Sequence, residues 1–126
     1  MPTEPAPVAI YVCTAAGDPA SAGLLSGYVA TYAHHQGLTV VLEAADHDAD
    51  RPLAQRAGWQ IVIDAVAAGK VGGVITWTRS MVIPGVMTGQ QIRAQFGLLA
   101  SLLADQGAYL VCAASEAAAP VLEAAS

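Results

Sequence analysis

The 126 residues carry 10 acidic and 5 basic side chains, a formal net charge of −5, and are 55% hydrophobic but only 12% charged. Disorder needs the opposite balance of low hydrophobicity and high charge, and this length is that of one domain. A membrane span is also excluded: Gly, Pro, Asp or Gln cuts every apolar stretch short of the about 18 uninterrupted residues required, and 27 alanines supply much of the mean hydropathy of +0.49.

Charge and cysteine narrow the classes further. Binding to nucleic acid needs a basic stripe that displaces counterions from phosphates. Here Arg51, Arg56, Lys70, Arg79 and Arg93 are scattered through a chain of pI near 4.8, so no independent nucleic-acid binding is expected. Cys13 and Cys112 lie inside apolar runs, AIYVC and YLVCA, as small buried hydrophobes do. The N-terminal MPTEPAPVAI has neither the basic region nor the apolar core of a signal peptide. The expectation is a protein of a reducing cytoplasm.

Residues 1–7, with three prolines, read as a flexible lead-in. Val8–Cys13 is a short β-branched and aromatic run, the form of a strand buried on both faces. Asp18-Pro19 reads as an N-cap followed by proline at the first helical position, and the helix 19–36 should stop at Gly37. Residues 38–43 (LTVVLE) form a second strand and 44–51 (AADHDADR) an acidic loop. A second helix runs over 53–68 to Gly69, a third strand over 72–77, and an irregular crossover with a Pro-Gly break over 78–87. Thr88-Gly-Gln-Gln91 matches a capping box and opens a third helix to about Gln106. A fourth strand over 108–113 leads into an Ala-rich tail, 114–126.

The order βαβαβαβ, in one domain over 8–113, predicts an α/β fold. It has three layers: a mostly parallel sheet of at least four strands with helices on both faces. Ligand sites in such sheets form at the carboxyl ends of the strands. The loops to watch are therefore 13–18, 44–51, 77–87 and the segment from 113 onward.

Several segments in register resemble the catalytic domain of the serine recombinases, the resolvase/invertase family. AIYVCTAAGD is similar to the family's first strand and nucleophile loop, YxRVSTxxQ. LTVVLEAADHDADRP resembles its second strand and acidic loop closing on Asp-Arg-Pro, and AGKVGGVITW its third strand. FGLLASLLADQGAYLVCA resembles the helix and strand that follow. The resemblance covers about residues 8–113 and implies a resolvase-like fold in a bacterial protein.

In that family a serine hydroxyl attacks a DNA phosphodiester, and arginines stabilise the charge that builds on its oxygens. In register with it, Cys13 falls at the first arginine and Ala15 at the serine, and alanine has no nucleophile. Thr78–Pro84 falls on the family's L-D-R-x-S-R segment, where only Arg79 is basic, one or two places out of register; Arg51 carries over cleanly. The family then continues into a long helix gripping the minor groove and a DNA-reading domain, for which 114–126 offers no counterpart. The resemblance therefore implies a pseudoenzyme with vestigial positions Cys13, Ala15, Arg51 and Arg79 and no catalytic residue. It would work through protein contacts, with itself or a related recombinase-like chain.

Other constellations have plainer readings. Asp46-His47-Asp48-Ala49-Asp50 lacks a converging second cluster and reads as a solvated loop rather than a metal site. His34-His35 suits a helix C-terminus. GKVGG at 69–73 lacks the Ser/Thr of a phosphate loop and enters a strand. No metal and no cofactor are expected. Trp59 should lie in the core, and Trp77 could line the cleft. The rival function is a flavodoxin-like domain that binds or converts a small molecule or anion in the cleft near Cys13, Asp18, Arg51 and Arg79. On the third helix Ile92, Phe96, Leu99 and Leu103 form the core stripe, while Leu98 and Leu102 lie to one side. Those two leucines are the expected interface of a homodimer or heterodimer; a wide core-facing stripe is the alternative.

Overall fold

The computed structural model describes residues 7–14, 19–48, 51–83 and 89–114. Strand β1 (Pro7–Cys13) is followed by helix α1 (Pro19–His35), strand β2 (Thr39–Asp46), helix α2 (Ala57–Ala67), strand β3 (Gly73–Thr76), helix α3 (Gly89–Ala104) and strand β4 (Tyr109–Cys112). Two short 3₁₀ turns, Leu53–Gln55 and Arg79–Met81, complete it. The four strands form one parallel sheet in the order β2-β1-β3-β4. Because the chain reverses direction across the sheet after β2, right-handed crossovers place α1 on one face and α2 and α3 on the other. The expected α/β architecture is therefore present.

β1 is central because it is apolar on both faces: Val8 to Tyr11 are fully buried and Val12 and Cys13 nearly so. All three helices close as their glycines dictate. Gly37, Gly69 and Gly107 have φ of 74°, 73° and 83°, the left-handed conformation that glycine adopts without Cβ strain. In each case the glycine amide and the next one fold back onto the last turn, as in Gly37 N–H to His34 O and Leu38 N–H to Ala33 O.

Two boundaries differ from the expectation by more than a residue. The acidic loop does not begin at Ala44: β2 continues to Asp46, because Ala44, Ala45 and Asp46 find parallel partners in Tyr11, Val12 and Cys13. The helix expected over 53–68 is broken at Arg56, whose backbone is extended (φ −88°, ψ 123°). The break aims the Arg56 side chain into the interior, where it is 1% exposed. Pro7, read as the end of the lead-in, already belongs to β1; Asp18 and Thr88, read as caps, the Pro-Gly break, residues 1–6 of the lead-in and residues 115–126 of the tail lie outside the described residues.

The core stripe of α3 is as expected. Phe96 and Leu103 are buried and Ile92 and Leu99 pack against the core, whereas Leu98 and Leu102 are each 61% exposed. The wide-stripe alternative for those two leucines is thereby removed. Trp59 is a core residue, and Trp77 is partly buried with its ring 5.5 Å from that of Tyr28.

Candidate functional site at the carboxyl ends of β1 and β2

Parallel pairing brings the ends of β1 and β2 together and sets three polar side chains in one line. The Tyr11 hydroxyl donates to Asp46 Oδ2 at 2.8 Å. The same carboxylate accepts the amides of Gly58 at 3.0 Å and Trp59 at 3.1 Å, so Asp46, 11 residues before Ala57, supplies the N-terminal acceptor that α2 lacks in its own sequence. Gly58 permits the approach: a Cβ there would lie 2.7 Å from Ala45 O and 2.8 Å from Asp46 Oδ2. Arg56 closes the line from the other side. Its Nε donates to Arg51 O at 2.9 Å, and its Nη1 to the Tyr11 hydroxyl at 3.3 Å and to Met81 O. Trp59 packs edge-on against the Tyr11 ring, with centroids 5.1 Å apart. Burial, stronger here than the opposing Arg56 hydrogen bond, pushes the Tyr11 phenol far above its usual range.

Around this line stand the residues singled out from the sequence. Cys13 is buried, and desolvation pushes its thiol up despite the nearby Arg56 charge; it is a poor nucleophile there. Ala15 and Asp18 lie outside the described residues. Arg51 is at the rim, its Nε 3.5 Å from Asp48 Oδ2, with both side chains about half exposed (52% and 49%). Arg79 is partly buried, its guanidinium 5.5 Å over the Phe96 ring. A cavity of about 300 Å³ opens at the rim, lined by Asp46, His47, Asp48, Arg51 and Arg56 among others. Thr14, just past β1, brings its hydroxyl 3.0 Å from His47 Nδ1. A hydroxyl beside an imidazole is the first half of a nucleophile–base pair, but Thr14 is only 7% exposed. Among the described residues no three or more His, Cys, Asp or Glu side chains gather as a metal site, and no helix is long and apolar enough to cross a membrane.

Tyr11, Asp46 and Arg56 were not distinguished from the sequence. Tyr11 sits in an apolar run, Asp46 in an acidic cluster and Arg56 among scattered bases. The one local signal is Gly58, a glycine in the first turn of a helix, where the missing Cβ lets another backbone come close.

No protein-family model matches the sequence, and no curated protein matches it either. Solved structures do. The C-terminal catalytic domain of ISC1926 TnpA, an IS607-like serine recombinase, superposes with a TM-score of 0.69 at 17% identity, covering 85% of this chain and 70% of that one. The N-terminal catalytic domain of TP901-1 integrase superposes with a TM-score of 0.65 at 15% identity, covering 85% of this chain and 76% of that one. At such identities the likeness speaks for architecture alone. The chain has the fold of the serine-recombinase catalytic domains.

Proposed function

We propose that this chain, a single unit over 8–113, is a recombinase-fold domain without strand-cleaving chemistry that works through protein contacts in the cytoplasm. The observation that carries the reading is how the positive groups of the rim are engaged. The N-terminus of α2 is taken by the Asp46 carboxylate and Arg56 by Tyr11 and two backbone carbonyls, which leaves the half-exposed Arg51, beside Asp48, as the rim's accessible arginine. A phosphoryl transition state needs such groups aimed at its own oxygens. Ala15 in the place of the family's serine, and a net charge of −5 that opposes binding to nucleic acid, support the same reading.

The contact surface is the exposed face of α3, where Leu98 and Leu102 form an apolar ridge. Its partner is a second copy or a related recombinase-like chain. In the Leu98→Lys/Leu102→Asp variant the thermal midpoint should stay within a few degrees of wild type, because neither side chain packs in the core. Association seen by light scattering should weaken at least tenfold. Unchanged association, with wild type and with a related recombinase domain, would remove α3 as the contact.

One observation favours a second reading: the rim cavity holds the half-exposed Arg51, a ligand for an anion. Stabilisation by millimolar phosphate that disappears in Arg51→Ala would support it, whereas the acidic lining from Asp46 and Asp48 argues against an anion there.

A further inference from the structure

The second contact surface is an edge. β2 stands at the end of the sheet, and among the described strands only its β1 side is paired. An unpaired edge eight residues long is a template for another strand. β2 (TVVLEAAD) carries no proline or lysine, and its two charged side chains are engaged within the chain, Glu43 accepting from the Ser26 hydroxyl and Asp46 from the first amides of α2. Its register with β1 passes from Val8–Val40 to Ala9–Leu42, so Val41 is the extra residue of a bulge and is 53% exposed. Beside it opens a cavity of about 540 Å³, lined by Val41, Leu42, Ala65 and the 53% exposed Ile61, together with Asp64 and Lys70.

We propose that this edge binds a second copy of the chain, strand to strand and antiparallel, about a two-fold axis at Val41. Such a contact requires a surface complementary to itself, and the edge supplies one. Pairing about Val41 sets Thr39 opposite the second copy's Glu43, a hydroxyl against a carboxylate. It also holds the two Glu43 side chains about 13 Å apart, four residues at ~3.3 Å each. The axis stands perpendicular to the sheet, so both α2 helices lie on the same face and run antiparallel. The C-terminal half of α2 then faces its counterpart across the paired valines, narrowing the cavity at the ~8–10 Å spacing of packed helices. Asp64 and Lys70 line the same groove with opposite charges, and the two-fold turns each toward its counterpart on the other copy. Five paired residues span about 17 Å; with the helix strip beside them the contact is on the order of 350 Å² per copy, well under the ~800 Å² of a standard interface. It is a weak, reversible dimer. α3, packed on β4 at the far end of the sheet, remains open to its own partner.

The test is made in wild type and in the Leu98→Lys/Leu102→Asp background, so that the α3 surface contributes nothing. Sedimentation equilibrium up to about 500 µM should show a monomer–dimer equilibrium in both. Val41→Lys should abolish it without lowering the thermal midpoint. Asp64→Lys should weaken it several-fold, and Asp64→Lys/Lys70→Asp should restore it, because the reciprocal pairs re-form. Under mild oxidation Val41→Cys should form an intermolecular disulfide much faster than Glu43→Cys, since the native Cys13 and Cys112 are buried. The proposal is overturned by a monomer throughout that range in the α3-variant background, by a dimer that survives Val41→Lys, or by equal cross-linking at positions 41 and 43. Failure of α3 as a contact leaves each of these readouts intact.

Discussion

Replacing Asp46 by alanine tests the linkage between the strand ends and the second helix. The carboxylate holds three donors at once: the amides of Gly58 and Trp59 and the hydroxyl of the fully buried Tyr11. Loss of a helix N-terminal acceptor costs about 1 kcal/mol. Leaving the buried Tyr11 hydroxyl without its acceptor costs about 1–3 kcal/mol more. The sum is about 3 kcal/mol, which for a domain of this size lowers the thermal midpoint by roughly 10 °C. Asp46→Asn keeps the shape and one acceptor oxygen, so it should lose only about 1 kcal/mol. Calorimetry on wild type and the two variants at pH 7 measures both. A shift below about 3 °C for Asp46→Ala, or an equal loss in Asp46→Asn, would refute the reasoning by showing that water serves these donors as well as the carboxylate does.

Arg56→Leu should be at least as damaging, about 3 kcal/mol in chemical denaturation, since it strips donors from two backbone carbonyls and Tyr11; combined with Asp46→Ala, the loss should fall well short of additive, because Tyr11 joins the two. Stability should also fall in alkali. The folded Tyr11 and Cys13 keep their protons to higher pH than the unfolded chain does, so the unfolded state binds fewer protons above about pH 9 and is favoured there, while below about pH 8 the effect is absent. Urea midpoints between pH 7 and 10.5 check this; a midpoint rising above pH 9 contradicts it, and Tyr11→Phe should flatten the decline.

The layers of the fold were legible because each element carries its own punctuation. Apolar runs set β1 and β4, and Gly37, Gly69 and Gly107 mark helix ends that the positive-φ geometry reproduces. The off-stripe position of Leu98 and Leu102 followed from helix angles and matches their exposure. What stayed hidden is what only the sheet assembles. Tyr11 and Asp46 are 35 residues apart, and Tyr11 and Arg56 are 45. What unites them is the pairing of β1 with β2 across a helical crossover, a long-range contact that a local window of sequence does not contain. For the same reason the start of α2 is hidden: its acceptor comes from a neighbouring strand, so the sequence pattern runs back to residue 53 through Arg56, a residue that turns inward.

The most direct measurement on the central claim is a cleavage assay on supercoiled plasmid, run with wild type, Ala15→Ser and Thr14→Ala, and denatured before electrophoresis to retain any protein–DNA adduct. The account predicts neither nicked DNA nor adduct from the wild type, because Ala15 has no oxygen to attack with and the Thr14 hydroxyl is buried. It predicts none from Ala15→Ser either, because Arg56 and the α2 N-terminus are held by the chain's own acceptors and the half-exposed Arg51 alone does not make a cage for a phosphoryl transition state. Cleavage or a covalent adduct formed by the wild-type chain, above all one abolished by Thr14→Ala, would contradict it.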